Sequence, residues 1–454
     1  MTGGRTLDRS RMERLMDAEM AAFERANPRS KALFDRAKGS LLDGVPMNWM
    51  VKWAGPYPLF VEEARGARFT DVDGHEYVDF CLGDTGAMAG HGPDATIRAV
   101  ERQLRRGITH MLPTEDAIIA ADELQRRFGL RWWQFTLTAT DANRFAIRLA
   151  RHITGRPMVL VHNFNYHGSV DEAFASLRPD GSVGPRHGNI GKPVALAETT
   201  RVVEFNDLEG LERELAHGDV AVALMEPALT NVGIVLPEPG YHEGVRELTR
   251  RHGTLLIIDE THTICAGPGG YTAAHGLAPD ILTIGKTIGG GIPAGAYGFT
   301  GEVGERVKAS IEWDDCDVGG IGGTLAGNAL SLAAIRATLT EVLTEEAFAR
   351  MIPLAERFEA GVAGVLRGHD VPWHVTRLGA RCEYHFMPEL PRNGSDQAAH
   401  DDSELARFLH LWAMNRGVLM TPFHNMALMS PATTEADVDR HTAVFAEAVE
   451  ALFG

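Results

Sequence analysis

From about residue 116 to about residue 330, short apolar runs alternate with amphipathic helical segments, and this alternation restricts the fold more than any other feature of the chain. MVLVHNF (158–164), VAVALMEP (220–227), TLLIIDE (254–260) and ILTIGK (281–286) are too short for globular helices and are apolar at successive positions. Such runs suit strands buried on both faces of a parallel sheet. EDAIIAADELQRRF, DANRFAIRLARHI and GYHEGVRELTRRHG supply the helices between them. Thr140 or Asp141 is placed to cap the second, and Gly253 to close the third. The expectation is an α/β domain with a mostly parallel central sheet.

At 454 residues the chain exceeds one simple core, which calls for a large domain and a smaller one. Residues 8–37 read as one or two polar amphipathic helices, and ARFTDVDGHEYVDF (67–80) as a hairpin turning at Asp73-Gly74. LAGNALSLAAIRATLTEVL begins a long helical stretch, after which helices mix with short strands such as RCEYHFM, an α+β pattern. PELPRNGSDQAAHDD (388–402) reads as a polar surface loop. The expected division is an N-terminal segment 1–95 belonging to the small domain, a large domain 96–330, and the C-terminal small domain 331–454.

A net charge of −17 argues against a nucleic-acid groove. No apolar run reaches membrane-spanning length, and the N-terminus lacks the apolar stretch of a signal peptide. Cys81, Cys265, Cys316 and Cys382 lie far apart with no C-x-x-C pair, which argues against a zinc site and a disulfide framework. A cytoplasmic protein with free thiols and no bound metal is expected.

Three of the apolar runs end on ionisable residues: Glu226, Asp259-Glu260 and Lys286. Ligands of open α/β sheets collect at carboxyl strand ends. One such charge can simply mark where a strand meets water, but three of opposite sign, followed by the glycines of T-I-G-G-G-I-P, point to one site. Lys286 lies between apolar residues and glycines, where desolvation lowers an amine's pKa and favours Schiff-base chemistry. The chemistry suggested is that of pyridoxal 5′-phosphate (PLP). Asp259 closes an apolar run and suits a carboxylate that keeps the cofactor's pyridine nitrogen protonated. T-A-T-D-A (138–142) opens a helix and is either a phosphate cradle or a plain N-cap. Thr324, in G-G-T-L-A-G-N, offers a second hydroxyl, and Tyr166 of Tyr166-His167-Gly168 is placed to stack on a ring.

Together LLIIDETHT, ILTIGKTIGGGIPAGAYG, NYHG, MEPALTNVGIVLPEPGY and GGTLAGNALSLAA resemble the class III aminotransferases of fold type I, over nearly the whole chain from about residue 40. The likeness lies nearest to glutamate-1-semialdehyde aminomutase and to D-phenylglycine and β-phenylalanine aminotransferases. It implies that Lys286 is the Schiff-base lysine and proton carrier and that Asp259 pairs with the pyridine nitrogen. It further implies that Tyr166 stacks on the ring, that Thr138, Ala139 and Thr140 hold phosphate, and that Glu226 sits beside the ring near its phenolic oxygen. Thr324 would reach the phosphate of a neighbouring subunit, making the site a property of a homodimer.

The chain departs from the family pattern at several points. S-G-T-E becomes Thr138-Ala139-Thr140-Asp141, the ring-packing valine becomes Thr261, and the next position is His262, which either bonds the cofactor's phenolic oxygen or stands behind it. Trp49 stands where β-phenylalanine aminotransferases place a carboxylate-binding arginine; Trp49 and Trp53 either wall a pocket or belong to the core. Arg381 is either a substrate-carboxylate clamp or the ion-pair partner of Glu383. His424 and Asn425 are further candidates to face the site. The implied activity is ping-pong transfer of an amino group from an amino acid or amine to a carbonyl acceptor; the alternative is an intramolecular aminomutase.

Overall fold

The four apolar runs form neighbouring strands of one seven-stranded sheet. The computed structural model describes residues 6–191, 195–310 and 319–454. The strand order is Trp132–Thr136, Gly295–Phe299, Ile281–Gly285, Leu255–Asp259, Val220–Met225, Met158–His162 and Thr200–Val203. Gly295–Phe299 runs antiparallel to both of its neighbours, and the remaining pairs are parallel.

Strand periodicity divides the core into two layers. Val159, Val161, Leu255 and Ile257 face one way, packing with Ala146, Leu149 and Ala150 of the helix Ala139–Thr154. Leu160, Ala223, Leu256 and Ile258 face the other way, toward Tyr241, Val245 and Leu248 of the helix Tyr241–Arg251. Continuing the alternation sends the Asp259 side chain toward the Ala139–Thr154 helix and Glu260 to the opposite side. There the Glu260 carboxylate accepts bonds from the Thr263 hydroxyl (2.6 Å) and the Tyr271 N–H (3.1 Å).

Two compact units emerge. The larger comprises Pro93–Glu345 and Pro391–Ala399, and the smaller Met1–Gly92, Glu346–Leu390 and His400–Gly454. The expected boundary at residue 330 moves to Glu345, because the helix Ala329–Ala337 packs on the helices Asp94–Leu104 and Glu115–Phe128 of the larger unit. Its sequence is apolar apart from Ser331 and Arg336, so it did not reveal which core it joins. The segment 388–402, expected as a loop, contains the short helix Gly394–Ala398, where the Asn393 side chain accepts from the Asp396 N–H at 2.8 Å. Asn206 Nδ2 donates to the Arg392 carbonyl at 2.7 Å and ties this segment to the larger unit.

In the smaller unit, residues 8–37 form the helices Arg9–Ala26 and Pro28–Ala37, and the hairpin pairs Arg68–Asp71 with Glu76–Asp79. Gly74 takes φ +91° at its turn, and the Asp73 carboxylate accepts the Arg29 and Ser30 N–H groups at 2.7 and 2.9 Å. A second sheet joins His374–Leu378, Arg381–His385 and Met426–Leu428.

Cys81, Cys265 and Cys382 are buried, whereas Cys316 lies outside the described residues. Among the described residues, no helix is long and apolar enough to cross a membrane, and no group of His, Cys, Asp or Glu could hold a metal ion.

Candidate active site

The parallel register between Leu255–Asp259 and Ile281–Gly285 sets Asp259 beside Thr283. Both meet Asn143, one turn into the facing helix. Thr283 Oγ1 donates to Asn143 Oδ1 at 2.6 Å, and Asn143 Nδ2 donates to Asp259 Oδ2 at 2.8 Å and to the His167 carbonyl at 3.2 Å. His167 Nδ1 contacts the same Asp259 oxygen at 2.9 Å, and the Thr261 N–H donates to Asp259 Oδ1 at 3.0 Å. Burial pushes the Asp259 carboxyl upward, but the bonds and charge of His167 with the bonds of Thr261 and Asn143 outweigh it, so its pKa lies below the ordinary value. Asp259 is therefore a fixed, buried carboxylate. A carboxylate has about four acceptor positions, and one Asp259 oxygen receives a single bond here, leaving room for a further donor.

Three residues beyond Thr283, Lys286 ends the strand in the left-handed region, at φ +51°. A non-glycine residue there costs about 1–2 kcal/mol, and such strain concentrates at functional sites. Lys286 Nζ lies 2.7 Å from His262 Nε2. His262 is buried, as is Thr261, whose hydroxyl finds no hydrogen-bond partner among the described residues.

Thr138 caps the helix Ala139–Thr154, its hydroxyl accepting the Asp141 N–H at 3.1 Å. That bond leaves the Ala139 and Thr140 N–H groups in the unsatisfied first turn of a long helix. Thr140 Oγ1 accepts the Ser169 N–H at 3.1 Å, so the helix start and the Tyr166-His167-Gly168 turn meet. The approach is close: a Cβ on Gly168 would lie 2.0 Å from Thr140 Oγ1, and one on Gly285 would lie 2.9 Å from Ala139. Thr324 and Gly323 line a cavity of about 280 Å³ with Thr136, Asp141 and Phe145.

The Tyr166 N–H donates to Glu226 Oε1 at 3.3 Å, and the other Glu226 oxygen accepts the Thr230 hydroxyl. Burial raises the Glu226 pKa, opposed by His167, Thr230 and the Tyr166 N–H. Lys286, Asp259, Thr261, His262, Tyr166, Glu226, Thr138, Ala139, Thr140 and Thr324 thus all belong to the larger unit. Trp49 and Arg381 belong to the smaller one. There Trp49 meets the Phe423 ring edge-on with centroids 5.7 Å apart, while Arg381 is 0% exposed and donates from Nη2 to Glu383 Oε2 at 3.4 Å. Sequence reasoning missed Asn143, Thr283 and the role of His167. A polar residue on the apolar face of DANRFAIRLAR was the available signal for Asn143.

The sequence profile of the class III aminotransferases matches residues 49–449. The chain belongs to this family. A glutamate-1-semialdehyde 2,1-aminomutase from Sorangium cellulosum is 34% identical over 97% of this chain and 100% of its own length. A glutamate-1-semialdehyde aminomutase from Pseudomonas aeruginosa PAO1, solved as a lysine-to-alanine variant in complex with PMP, is 51% identical. It superposes with a TM-score of 0.96 over 98% of this chain and 99% of its own. An omega-transaminase from Sphaerobacter thermophilus is 30% identical, with a TM-score of 0.85 over 94% and 98% of the two chains. The architecture is fold type I, and the cofactor of this class III enzyme is PLP.

The residues present fit that cofactor. Asp259 is anionic and has acceptor capacity to spare, which suits a protonated pyridine nitrogen. The helix start at Thr138–Thr140 suits a phosphate, and the crowding around Gly168 and Gly285 shapes its surroundings. His167 Nε2 and Thr261 Oγ1 are buried without partners among the described residues, polar atoms of the kind a bound group satisfies.

Proposed function

We propose that this class III enzyme is an aminomutase of the glutamate-1-semialdehyde 2,1 type, moving an amino group between neighbouring carbons of one substrate. The observation that carries the reading is the end-to-end likeness to the Pseudomonas protein of that name, at 51% identity and a TM-score of 0.96. When bound, PLP supplies an electron sink that makes a substrate C–H bond acidic. The chain supplies the rest. Asp259, oriented by Asn143 and His167, keeps the pyridine nitrogen protonated. Thr138, Ala139 and Thr140 take the phosphate. The Lys286 amine would attach the cofactor and, once freed, carry a proton to and from the substrate carbon, with His262 at 2.7 Å as its hydrogen-bond partner. Tyr166 would stack on the ring, and Glu226 would stand beside it. Trp49 remains a proposed substrate contact, Arg381 is the buried ion-pair partner of Glu383 rather than a substrate clamp, and Thr324 would be a phosphate ligand of the neighbouring subunit in a homodimer.

The test is a single amine substrate without any carbonyl acceptor. An isomer that retains the substrate's own nitrogen is the expected product. A second reading, intermolecular ping-pong transamination, is favoured by the likeness to the Sphaerobacter omega-transaminase. Stoichiometric release of a carbonyl product, with pyridoxamine phosphate left on the enzyme, would establish it and overturn the aminomutase.

A further inference from the structure

Beyond the Tyr166-His167-Gly168 turn, the strands Ala175–Leu177 and Val183–Pro185 pair antiparallel and bring Arg186 back to the turn's own start. Arg186 Nη1 donates to the Asn165 carbonyl at 2.6 Å, and its guanidinium carbon lies 5.8 Å from the centroid of the Phe164 ring. Phe164 holds φ +62°, a left-handed conformation in a bulky residue, so the backbone here is bent away from its relaxed form. The Asn165 bond sets the guanidinium one residue before Tyr166, and burial lowers its pKa, opposed by the Glu226 carboxylate and the Tyr166 phenol.

Other half-buried arginines of this unit are held either by carboxylates or, for Arg156, by three carbonyls, those of Val220, His252 and Gly253. Arg151 pairs with Glu172, Arg201 with Asp219 and Arg246 with Asp280. Arg186 makes no ion pair with any described residue, and its Nη1 bond goes to a neutral carbonyl. The Glu226 oxygens are engaged by the Tyr166 N–H and the Thr230 hydroxyl. A desolvated guanidinium without a carboxylate is costly unless a ligand supplies one, and its fork of N–H donors matches a carboxylate edge.

We propose that Arg186 binds the carboxylate of the substrate, anchoring an amino acid or amino aldehyde by its acid end beside Tyr166. The proposal rests on the aminomutase reading for its substrate and extends it by naming the residue that selects for an acid.

The experiment titrates the PLP-loaded enzyme with 5-amino-4-oxopentanoate, the product of moving the amino group from carbon 2 to carbon 1 of glutamate 1-semialdehyde. Its methyl ester is titrated in parallel, with binding read from the cofactor's absorbance. Wild type should prefer the acid, and Arg186→Ala should weaken acid binding by about tenfold or more, the scale of a lost charge-assisted hydrogen bond, while leaving the ester unchanged. Arg186→Lys, which keeps the charge and loses the fork, should fall between and covers the case in which the alanine variant fails to fold. An undiminished acid-over-ester preference in the variants would overturn the proposal. So would equal binding of acid and ester by wild type, although the aminomutase reading would survive it. No spectral response of wild type to either compound would overturn both.

Discussion

Asn143→Ala is the most informative single perturbation of the Asp259 network. It deletes the 2.8 Å bond to Asp259, the 3.2 Å bond to the His167 carbonyl and the acceptor of the Thr283 hydroxyl at 2.6 Å. All four residues are buried. A buried polar group stranded in this way costs about 1–3 kcal/mol. With Thr283 left without an acceptor and Asp259 short of a donor, we expect a loss of about 2–4 kcal/mol in unfolding free energy. The pH dependence carries the sharper signature. The folded pKa of Asp259 is depressed, so its contribution is present above the unfolded value and lost as pH falls through the folded one. Removing a donor raises the folded value, and the acid limb of PLP affinity should move to higher pH. The assay is urea unfolding of cofactor-free protein together with PLP titrations from pH 4 to pH 8. Wild-type stability with an unmoved acid limb would refute the account of how Asp259 is held in its charged form.

Gly168→Ala combines φ +76° with a Cβ only 2.0 Å from Thr140 Oγ1; it should cost about 1–3 kcal/mol in urea unfolding and weaken PLP binding. Arg381→Met leaves Glu383 buried without its guanidinium and should destabilise the chain by about 3–5 kcal/mol. Adding Glu383→Leu should recover most of that loss, and the pair is checked by a double-mutant cycle. Burial raises the Glu383 carboxyl, but the bond and charge of His424 with the charge of Arg381 outweigh it and bring it down to about 2. Its contribution is therefore present above the unfolded glutamate value and is lost as pH falls from about 4 toward about 2. Glu383→Gln should remove that part of the acid sensitivity, measured as urea midpoint against pH.

The larger unit was legible because strands buried on both faces betray themselves as apolar runs, and because three of the four runs end on ionisable residues. Lys286 and Asp259 could be paired before any coordinates, since both close neighbouring runs of one sheet. Asn143 could not be paired in this way. A polar side chain on a helix acquires its partner only when strand register sets Asp259 beside Thr283, and register is a long-range property. Arg186 was hidden for a similar reason: a loop arginine resembles surface charge until the hairpin folds it back onto Asn165. The helix Ala329–Ala337 misled the domain boundary because a largely apolar run records burial but not the partner. In the 388–402 segment, the helix Gly394–Ala398 is too short to show a period, and its polar composition reads as loop.

Everything proposed for the site depends on the cofactor being carried by Lys286. Borohydride treatment of the PLP-loaded enzyme reduces a lysine–cofactor linkage to a stable secondary amine, which peptide mass spectrometry then locates. The cofactor mass should appear on the peptide containing Lys286 in wild type and on no peptide of Lys286→Ala. A label on another lysine in wild type, or equal labelling of the variant, would contradict the assignment.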